Sequence, residues 1–564
     1  MKKVSFDKVK ILSEFWNERI ETVRSKTIWQ VLDKCNESRV RNFEAAGMYL
    51  SGDKSQVFEG RFYDDSDVYK ALEGLSYLLV GHYDENLMKQ ADEIIDKIAS
   101  AQWHDGYIST YFTLTDEDRY SDMDRHELYC GGHLIEAAIA YYKATGKDAL
   151  LNVAIKLADH WVDYFHLKNW VCGHPEAELA LFKLYELTNE IKYKELSLYL
   201  LEQRGKGFYK SESRPICNQS NFYTLEYAQD HEPVKKQVKV KGHAVRAMYL
   251  YTAMAMLGYP VKALFEDLVK HMYITGGIGD SIKNEGFSDD NNMKNENAYA
   301  ETCASIGCVF FADNINDNLN QHEIIESQIY NNILAGLSAD GQKFFYVNPM
   351  VTNGLNRKEG GHKERSPWFT TSCCPTNLTR FIPSIGSYIY RYTDDVIYIN
   401  QHIGSEVTIE GVNITLKTDY PRGGHFEIDY DGNIRFKKIY FRLPSWIKTF
   451  RVSESYGLEN DYIMIDLKES ASFSIDFELE VRKLSTPLID SNKGKSALAY
   501  GPFVYCFEGK DSRIEFLEDD YDIIWNDELK VHTQVNNYEA IPYYIWGNRG
   551  KSAMKVFVKE KGRD

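Results

Sequence analysis

Cysteine is scarce in this chain. Nine thiols occur in 564 residues (Cys35, Cys130, Cys172, Cys217, Cys303, Cys308, Cys373, Cys374 and Cys506), odd in number and irregular in spacing, so a disulfide framework is not the basis of the fold. Most of them read as buried free thiols of a reducing compartment. Long apolar runs are missing: none approaches the roughly 20 residues that span a bilayer, so no membrane partner is expected. The opening MKKVSFDKVKILSEFWNERI lacks the apolar core of roughly 7–15 residues that an export signal needs, and a cytoplasmic location is the expectation. Positive charge is also in deficit. Lys and Arg number 66 against 83 Asp and Glu, a formal net charge of -17, which argues against nucleic acid as a partner and favours a neutral small molecule or sugar. A phosphate-cradling loop is absent as well: TGGIGDS, from Thr275, has glycines but no Lys-Ser/Thr pair and follows no convincing strand, so it reads as a flexible loop.

What is present is helix, then strand. Residues 1–390 carry long amphipathic segments such as DVYKALEGLSYLLV, ENLMKQADEIIDKIASAQ and ALLNVAIKLADHWVDYF. One theme recurs there: GGHLIEAAIAYYKATGK, GHPEAELALFKLYELTNE and KGHAVRAMYLYTAMAMLGY each open on Gly-His and continue as an apolar, alanine-rich helix. The spacing leaves room for helical hairpins between them, and about a dozen helices in all suit an (α/α)6 toroid, whose inner-helix ends converge on one central pocket. A lone histidine at a helix start is ordinarily a cap or a packing residue. Three at matching positions of successive hairpins would all be aimed at the same cavity. Over 391–485 the pattern changes to short alternating runs (DDVIYINQHI, SEVTIEGVNITLKTDY, FKKIYFRLPSW, SFSIDFELEV), an antiparallel β-sandwich, and 486–564 reads as a second small or incomplete β domain. The whole is therefore multidomain and mainly α.

Two clusters could do chemistry. AYAETCASIG supplies Glu301 and Cys303, and TTSCCPTN supplies the adjacent Cys373 and Cys374. Three thiolates and a carboxylate suit a tetrahedral metal, although the spacing is not the usual Cys-x2-Cys, and spacing alone leaves unrelated thiols or a strained vicinal disulfide open. In KNEGFSDDNN, Glu285 is a candidate acid, with Asp280, Asp289 and Asp290 equally plausible by type.

The ordered series DSDVYKALEG, DGYISTYF, HELYCGGHLIEAA, GHPEAELAL, KGHAVRAMYL, TGGIGDSIKNEGF, AETCASIG, SCCPTNLTR, RLPSW, ALAYGPFVY and IPYYIWGNRG resembles glycoside hydrolase family 127, whose type activity is β-L-arabinofuranosidase, along nearly the whole chain. The resemblance implies a retaining exo-glycosidase acting on an arabinose-containing oligosaccharide. It implies zinc (Zn2+) held by Glu301, Cys303, Cys373 and Cys374, with Cys373 as nucleophile and Glu285 as general acid/base. Sugar contacts would map onto His133, His174, His243 and Tyr346, with His126 as the alternative to His133. The chemistry explains the adjacent thiols: a free thiol of pKa near 8.5 is mostly protonated at neutral pH, and metal coordination removes the proton. To serve as an acid, Glu285 would need its pKa raised by burial. Three alternatives remain at this stage: the same apparatus acting on another furanose-like sugar, an (α/α)6 epimerase working through paired histidines, and a sugar-binding protein with structural zinc. A homodimer is compatible with the sequence.

Overall fold

The structure, a computed structural model, describes residues 1–211, 224–288, 293–316, 319–353, 364–432, 435–467, 470–486, 492–509, 516–517, 521–524, 530–533 and 539–560. Cys217, Asp289 and Asp290 lie outside the described residues. Helix dominates up to Tyr388 and strand takes over at Tyr390. Six helices carry the apolar stretches noted above: α1 (Asp65–Leu79), α2 (Glu127–Thr145), α3 (Ala177–Thr188), α4 (Ala244–Met256), α5 (Thr302–Asp313) and α6 (Cys373–Phe381). Each packs on the next, and α6 returns to α1, so the six close a circuit. α1, α2, α4 and α5 are buried on nearly every face, which is why their sequences lack a polar stripe. The amphipathic helices Glu85–Ser100 and Ala149–Phe165 lie against α1 and α2, with Leu87, Ile94 and Ile98 of the first turned inward. Among the described residues no helix is long and apolar enough to cross a membrane.

Among the described residues the strands form two six-stranded sheets, a larger third one and a two-stranded pair. In the first, Val396–Ile399 pairs in parallel with Lys438–Arg442, and its other pairs are antiparallel; the second is antiparallel throughout. Phe441 of the first sheet packs against Phe426 and Phe477 of the second, ring centroids 5.1 and 5.9 Å away, so the two share an aromatic core. The chain's beginning belongs to these sheets. Lys2–Lys3 pairs with Tyr390–Tyr392, and Val9–Ile11 pairs with Ser405–Ile409, one edge strand for each sheet. The third sheet draws on residues 481–560 together with Val351–Thr352 from the helical part. TGGIGDS is not a loose loop, contrary to its composition. Thr275 and Asp280 are buried, Gly276 O accepts from Gln328, and Gly279 O accepts from the amides of Tyr299 and Ala300.

Ion pairs and hydrogen bonds join helices to sheets. Glu326, in the Gln321–Ser327 helix, accepts from Arg442 Nη2 at 2.6 Å and Tyr420 Oη at 2.9 Å. Asp313, at the end of α5, accepts from Arg391 and Lys3, each at 2.7 Å. Arg365 donates to the carbonyls of Ala335 and Trp546, and Phe345 stacks on Trp546 with ring centroids 4.8 Å apart.

Candidate active site

The amino-terminal ends of the circuit helices gather around one cavity of about 200 Å³, lined among others by Asp67, His126, Tyr129, His174, His243, Arg246, Glu285, Glu301, Tyr346 and Cys373. That volume is below the roughly 300–1,000 Å³ of sites for drug-sized ligands and suits a single monosaccharide ring. A larger cavity of about 650 Å³ opens among the carboxy-terminal ends of the same helices, lined by Glu73, Glu136, Lys183 and Arg380 and holding no thiol.

Two helix starts bring the thiols together. Glu301 precedes α5 and Cys303 lies in its first turn, while Cys373 and Cys374 open α6. Both are helix amino termini, where the peptide dipoles favour negative charge. Thr302 N donates to Tyr346 O at 3.0 Å and Thr302 Oγ1 to Phe345 O at 2.8 Å, which draws Tyr346 alongside the Glu-x-Cys motif. The start of α6 is fixed from α1: Ser372 Oγ donates to Asp67 Oδ2 at 2.5 Å, and Arg39 donates to both, to Ser372 Oγ at 3.0 Å and to Asp67 Oδ2 at 2.8 Å.

The ligand atoms of Glu301, Cys303, Cys373 and Cys374 all lie within 4.8 Å of one another. Cys373 Sγ is 3.9 Å from Cys374 Sγ and 3.6 Å from Glu301 Oε1; Cys374 Sγ is 3.8 Å from the same oxygen and 3.2 Å from Cys303 Sγ. Tetrahedral ligation with metal–sulfur bonds of about 2.3 Å and metal–oxygen bonds of about 2.0–2.2 Å calls for separations of about 3.8 Å between sulfurs and about 3.5 Å from sulfur to oxygen. The residues therefore fit a metal ion. The two adjacent thiols are free, not a vicinal disulfide. Glu301 Oε2 is buried without a hydrogen-bond partner. Burial, then the neighbouring Cys373 and Glu285, push the Glu301 carboxyl well above its ordinary range. Burial likewise raises Cys374, and the hydrogen bond to Cys303 raises Cys373. Cys303 is the exception: burial works against it, but hydrogen bonds from Cys373 and Cys374 bring it down to about 6. The other three, crowded this way, retain protons that a divalent cation would displace. Cys303 and Cys374 are fully buried, and Cys373 alone of the three thiols reaches the cavity.

Glu285 stands beside His243 because Gly242–His243 and Gly286–Phe287 pair as short strands. A Cβ on Gly286 would lie 1.9 Å from Gly242 O, so only glycine permits this approach. Glu285 itself has φ of +50°, a strained conformation that concentrates at functional positions. His243 Nδ1 accepts from the amides of Val245 and Arg246 at the start of α4, which leaves the proton on Nε2, 3.3 Å from Glu285 Oε2. Burial pushes the Glu285 carboxyl up, but His243 and Arg246 outweigh it and the net shift is downward, the reverse of the expected direction. Asp280 is turned away and accepts from Ser288 N and Oγ.

The histidines divide. His126 Nδ1 donates to Asp124 O at 2.5 Å and His174 Nδ1 to Pro175 O at 3.0 Å, leaving each Nε2 an acceptor suited to a sugar hydroxyl. Burial, then Arg246, lowers both, His126 to about 4, so they are neutral. His133 does not reach the cavity. It lies mid-helix in α2, fully buried, with Nδ1 3.2 Å from Glu176 Oε1. The Gly131-Gly132 pair that looked like a helix start is a packing site, since a Cβ there would meet Trp161 at 2.4 Å or Glu176 at 2.5 Å. The residue preceding α2, as His243 precedes α4, is His126. Sequence reasoning did not find Arg246, Asp124 or Tyr129. Arg246 donates to Asp124 Oδ1 at 3.0 Å and Gly173 O at 2.7 Å, and its position three residues after His243 on one helix face was the available signal.

A family profile described as the β-L-arabinofuranosidase, GH127 catalytic domain matches residues 8–387, and one described as the glycoside hydrolase family 127 C-terminal domain matches residues 482–559. The non-reducing end β-L-arabinofuranosidase of Bifidobacterium longum subsp. longum is 30% identical over 659 residues, covering 98% of this chain and 100% of that one. A solved GH127 β-L-arabinofuranosidase from Geobacillus stearothermophilus T6 matches with a TM-score of 0.88 and 33% identity over 98% of this chain and 100% of its own. A second solved structure, a GH127 β-arabinofuranosidase, gives 0.88 and 29% over 99% and 98%. Matched by both domain profiles and end to end by these relatives, the chain belongs to glycoside hydrolase family 127.

Proposed function

We propose that this glycoside hydrolase is a retaining exo-enzyme that releases β-L-arabinofuranose from the non-reducing end of an oligosaccharide, with Cys373 as nucleophile and Glu285 as general acid/base. The observation that carries the reading is that Cys373, the single cavity-facing member of the thiol cluster, shares a monosaccharide-sized cavity with Glu285. We take the closed helix circuit to be an (α/α)6 toroid, followed by a β-sandwich formed by the first two sheets. Glu301, Cys303, Cys373 and Cys374 would hold zinc, which when bound keeps the thiols ionised at neutral pH.

In the first half-reaction the Cys373 sulfur attacks the anomeric carbon while Glu285 protonates the departing glycosidic oxygen. In the second, Glu285 as carboxylate takes a proton from water, which displaces the sulfur from the same carbon and regenerates the thiolate. Two inversions retain the configuration. His243 donates to Glu285 between its two roles, and exclusion of water by a bound sugar raises the carboxyl, opposing the downward pull of His243 and Arg246.

The direct test is release of L-arabinose from an aryl β-L-arabinofuranoside by wild type and Glu285→Gln, with bound metal measured for each. Wild-type turnover, and a loss of about 10²–10⁴-fold in Glu285→Gln at unchanged metal content, is the expected result. Glu285→Gln retaining full activity would remove Glu285 from the mechanism, and release of a different furanose in preference to arabinose would change the substrate. Removing the metal with a chelator should abolish turnover, and zinc should restore it.

The histidine assignment is separable. His126→Ala is expected to raise KM about tenfold, the worth of a hydrogen bond of ~1.4 kcal/mol. His133→Gln should lower the melting temperature and leave KM within about twofold. A KM effect confined to His133→Gln would return the sugar contact to His133.

A further inference from the structure

Arg246 stands where a cation is disfavoured. It lies in the first turn of α4, a turn without an acidic residue, and is only 3% exposed. A positive charge there opposes the helix dipole, and burial removes the water that would offset it. Its compensation comes from outside the helix: Nη1 donates to Asp124 Oδ1 at 3.0 Å and to Gly173 O at 2.7 Å. Departures from local rules of this kind are expected at functional or strained sites.

The two acceptors belong to the segments that carry the other cavity histidines. Asp124 lies two residues before His126, and Gly173 immediately before His174. These segments are pressed together, since Gly173 N donates to Met123 O at 2.7 Å and a Cβ on Gly173 would lie 2.9 Å from Asp124 Oδ1. The third histidine is held by the backbone of the same residue: the Arg246 amide donates to His243 Nδ1 at 3.4 Å. The Tyr227 ring lies over the guanidinium, 4.4 Å from centroid to Cζ, and its centroid is 5.4 Å from that of His243. One residue thus touches the segments of all three cavity histidines.

We propose that Arg246 is a positioning residue that sets the mutual placement of His126, His174 and His243 around the sugar and acts on the substrate through them. This rests on the reading of His126 and His174 as sugar contacts. The His126 and His174 ring centroids are 5.6 Å apart, and those of His174 and His243 are 5.9 Å apart, close enough for neighbouring rings to address one furanose.

The test measures kcat/KM on an aryl β-L-arabinofuranoside for full-length wild type, Arg246→Lys, His126→Ala and the two combined, with zinc content and melting temperature for each. A lysine keeps a cation beside Asp124, but its ammonium ends one bond short of Nη1 and cannot hold both acceptors. Arg246→Lys should lower kcat/KM about tenfold or more at unchanged zinc content, the worth of a hydrogen bond to the sugar. In its background His126→Ala should cost less than about threefold, against about tenfold in wild type, because residues that act through one another are not additive. Arg246→Met with Asp124→Asn, which removes both charges, should match Arg246→Lys and serves in its place if the lysine variant does not fold. A full tenfold cost of His126→Ala in the Arg246→Lys background overturns the proposal and leaves the histidine contacts standing. So does a lowered melting temperature with kcat/KM equal to wild type, which marks a packing role. If wild type releases no arabinose, or loses nothing on His126→Ala, the sugar contacts and this inference fall together.

Discussion

Cys373→Ser is expected to lower turnover of an aryl β-L-arabinofuranoside by at least about 10⁴-fold, because a hydroxyl is not ionised near neutral pH and a nucleophile acts as a unit with its acid partner. Metal loss alone could produce a dead enzyme, so the substitution is best read with a labelling experiment. Of the three clustered thiols, Cys303 and Cys374 are fully enclosed and Cys373 borders the cavity. An arabinofuranose-shaped haloacetamide should therefore alkylate Cys373 alone, and mass spectrometry of the digested protein should find the adduct on the first cysteine of the Cys-Cys pair. Full activity in Cys373→Ser, or an adduct on another residue with inactivation, sinks the assignment.

Glu326→Gln is expected to cost about 3–5 kcal/mol of folding stability, the usual result of removing one member of a buried ion pair and leaving its partner uncompensated. Arg442 is 3% exposed, and its Nη2 reaches Glu326 Oε1 at 2.6 Å. The pH dependence carries the sign. Burial alone would raise the Glu326 pKa, but the Arg442 guanidinium outweighs it and holds the carboxyl at about 2, below the ordinary 4.5. As pH falls, the unfolded chain takes up this proton first. The stabilisation, about 3 kcal/mol at 1.36 kcal/mol per pKa unit, is thus complete above about pH 5 and is lost as pH drops toward about 2. Urea unfolding of wild type and variant at pH 7 and at pH 3 should show the difference shrinking at the lower pH. A difference below about 0.5 kcal/mol at pH 7, or one that grows on acidification, contradicts this account.

How far the sequence carried depended on whether a feature repeats. The circuit helices were legible because α2, α3 and α4 each bury a long apolar run, and such runs leave a pattern. The edge strands Lys2–Lys3 and Val9–Ile11 were not, since two or three residues carry no period and take their strand identity from partners some 400 positions away, a distance set by the register. Glu285 could not be told by type from Asp280, Asp289 or Asp290; what distinguishes it is a backbone conformation fixed by Gly286 and the pairing with His243, both tertiary. Gly-His misled once, at His133, because a glycine inside a close helix contact looks the same on paper as a glycine that opens a helix. Arg246 left one faint trace, its place three residues after His243 on the same helix. The adjacent cysteines stood out, but only family resemblance linked them to Glu301 and Cys303, which lie in a different helix.

The two edge strands also set a schedule for synthesis. Val9–Ile11 leaves the ribosome about 400 residues ahead of its hydrogen-bonding partner, Ser405–Ile409. At the roughly 5–20 residues per second of translation, it waits on the order of 20–80 seconds with its backbone unpaired while the helical part assembles behind it. This strand therefore completes its pairing only with residues made long after it, and a nascent chain stalled before Ser405 would carry a nearly complete helical body with the Val9–Ile11 strand loose and pairing-competent.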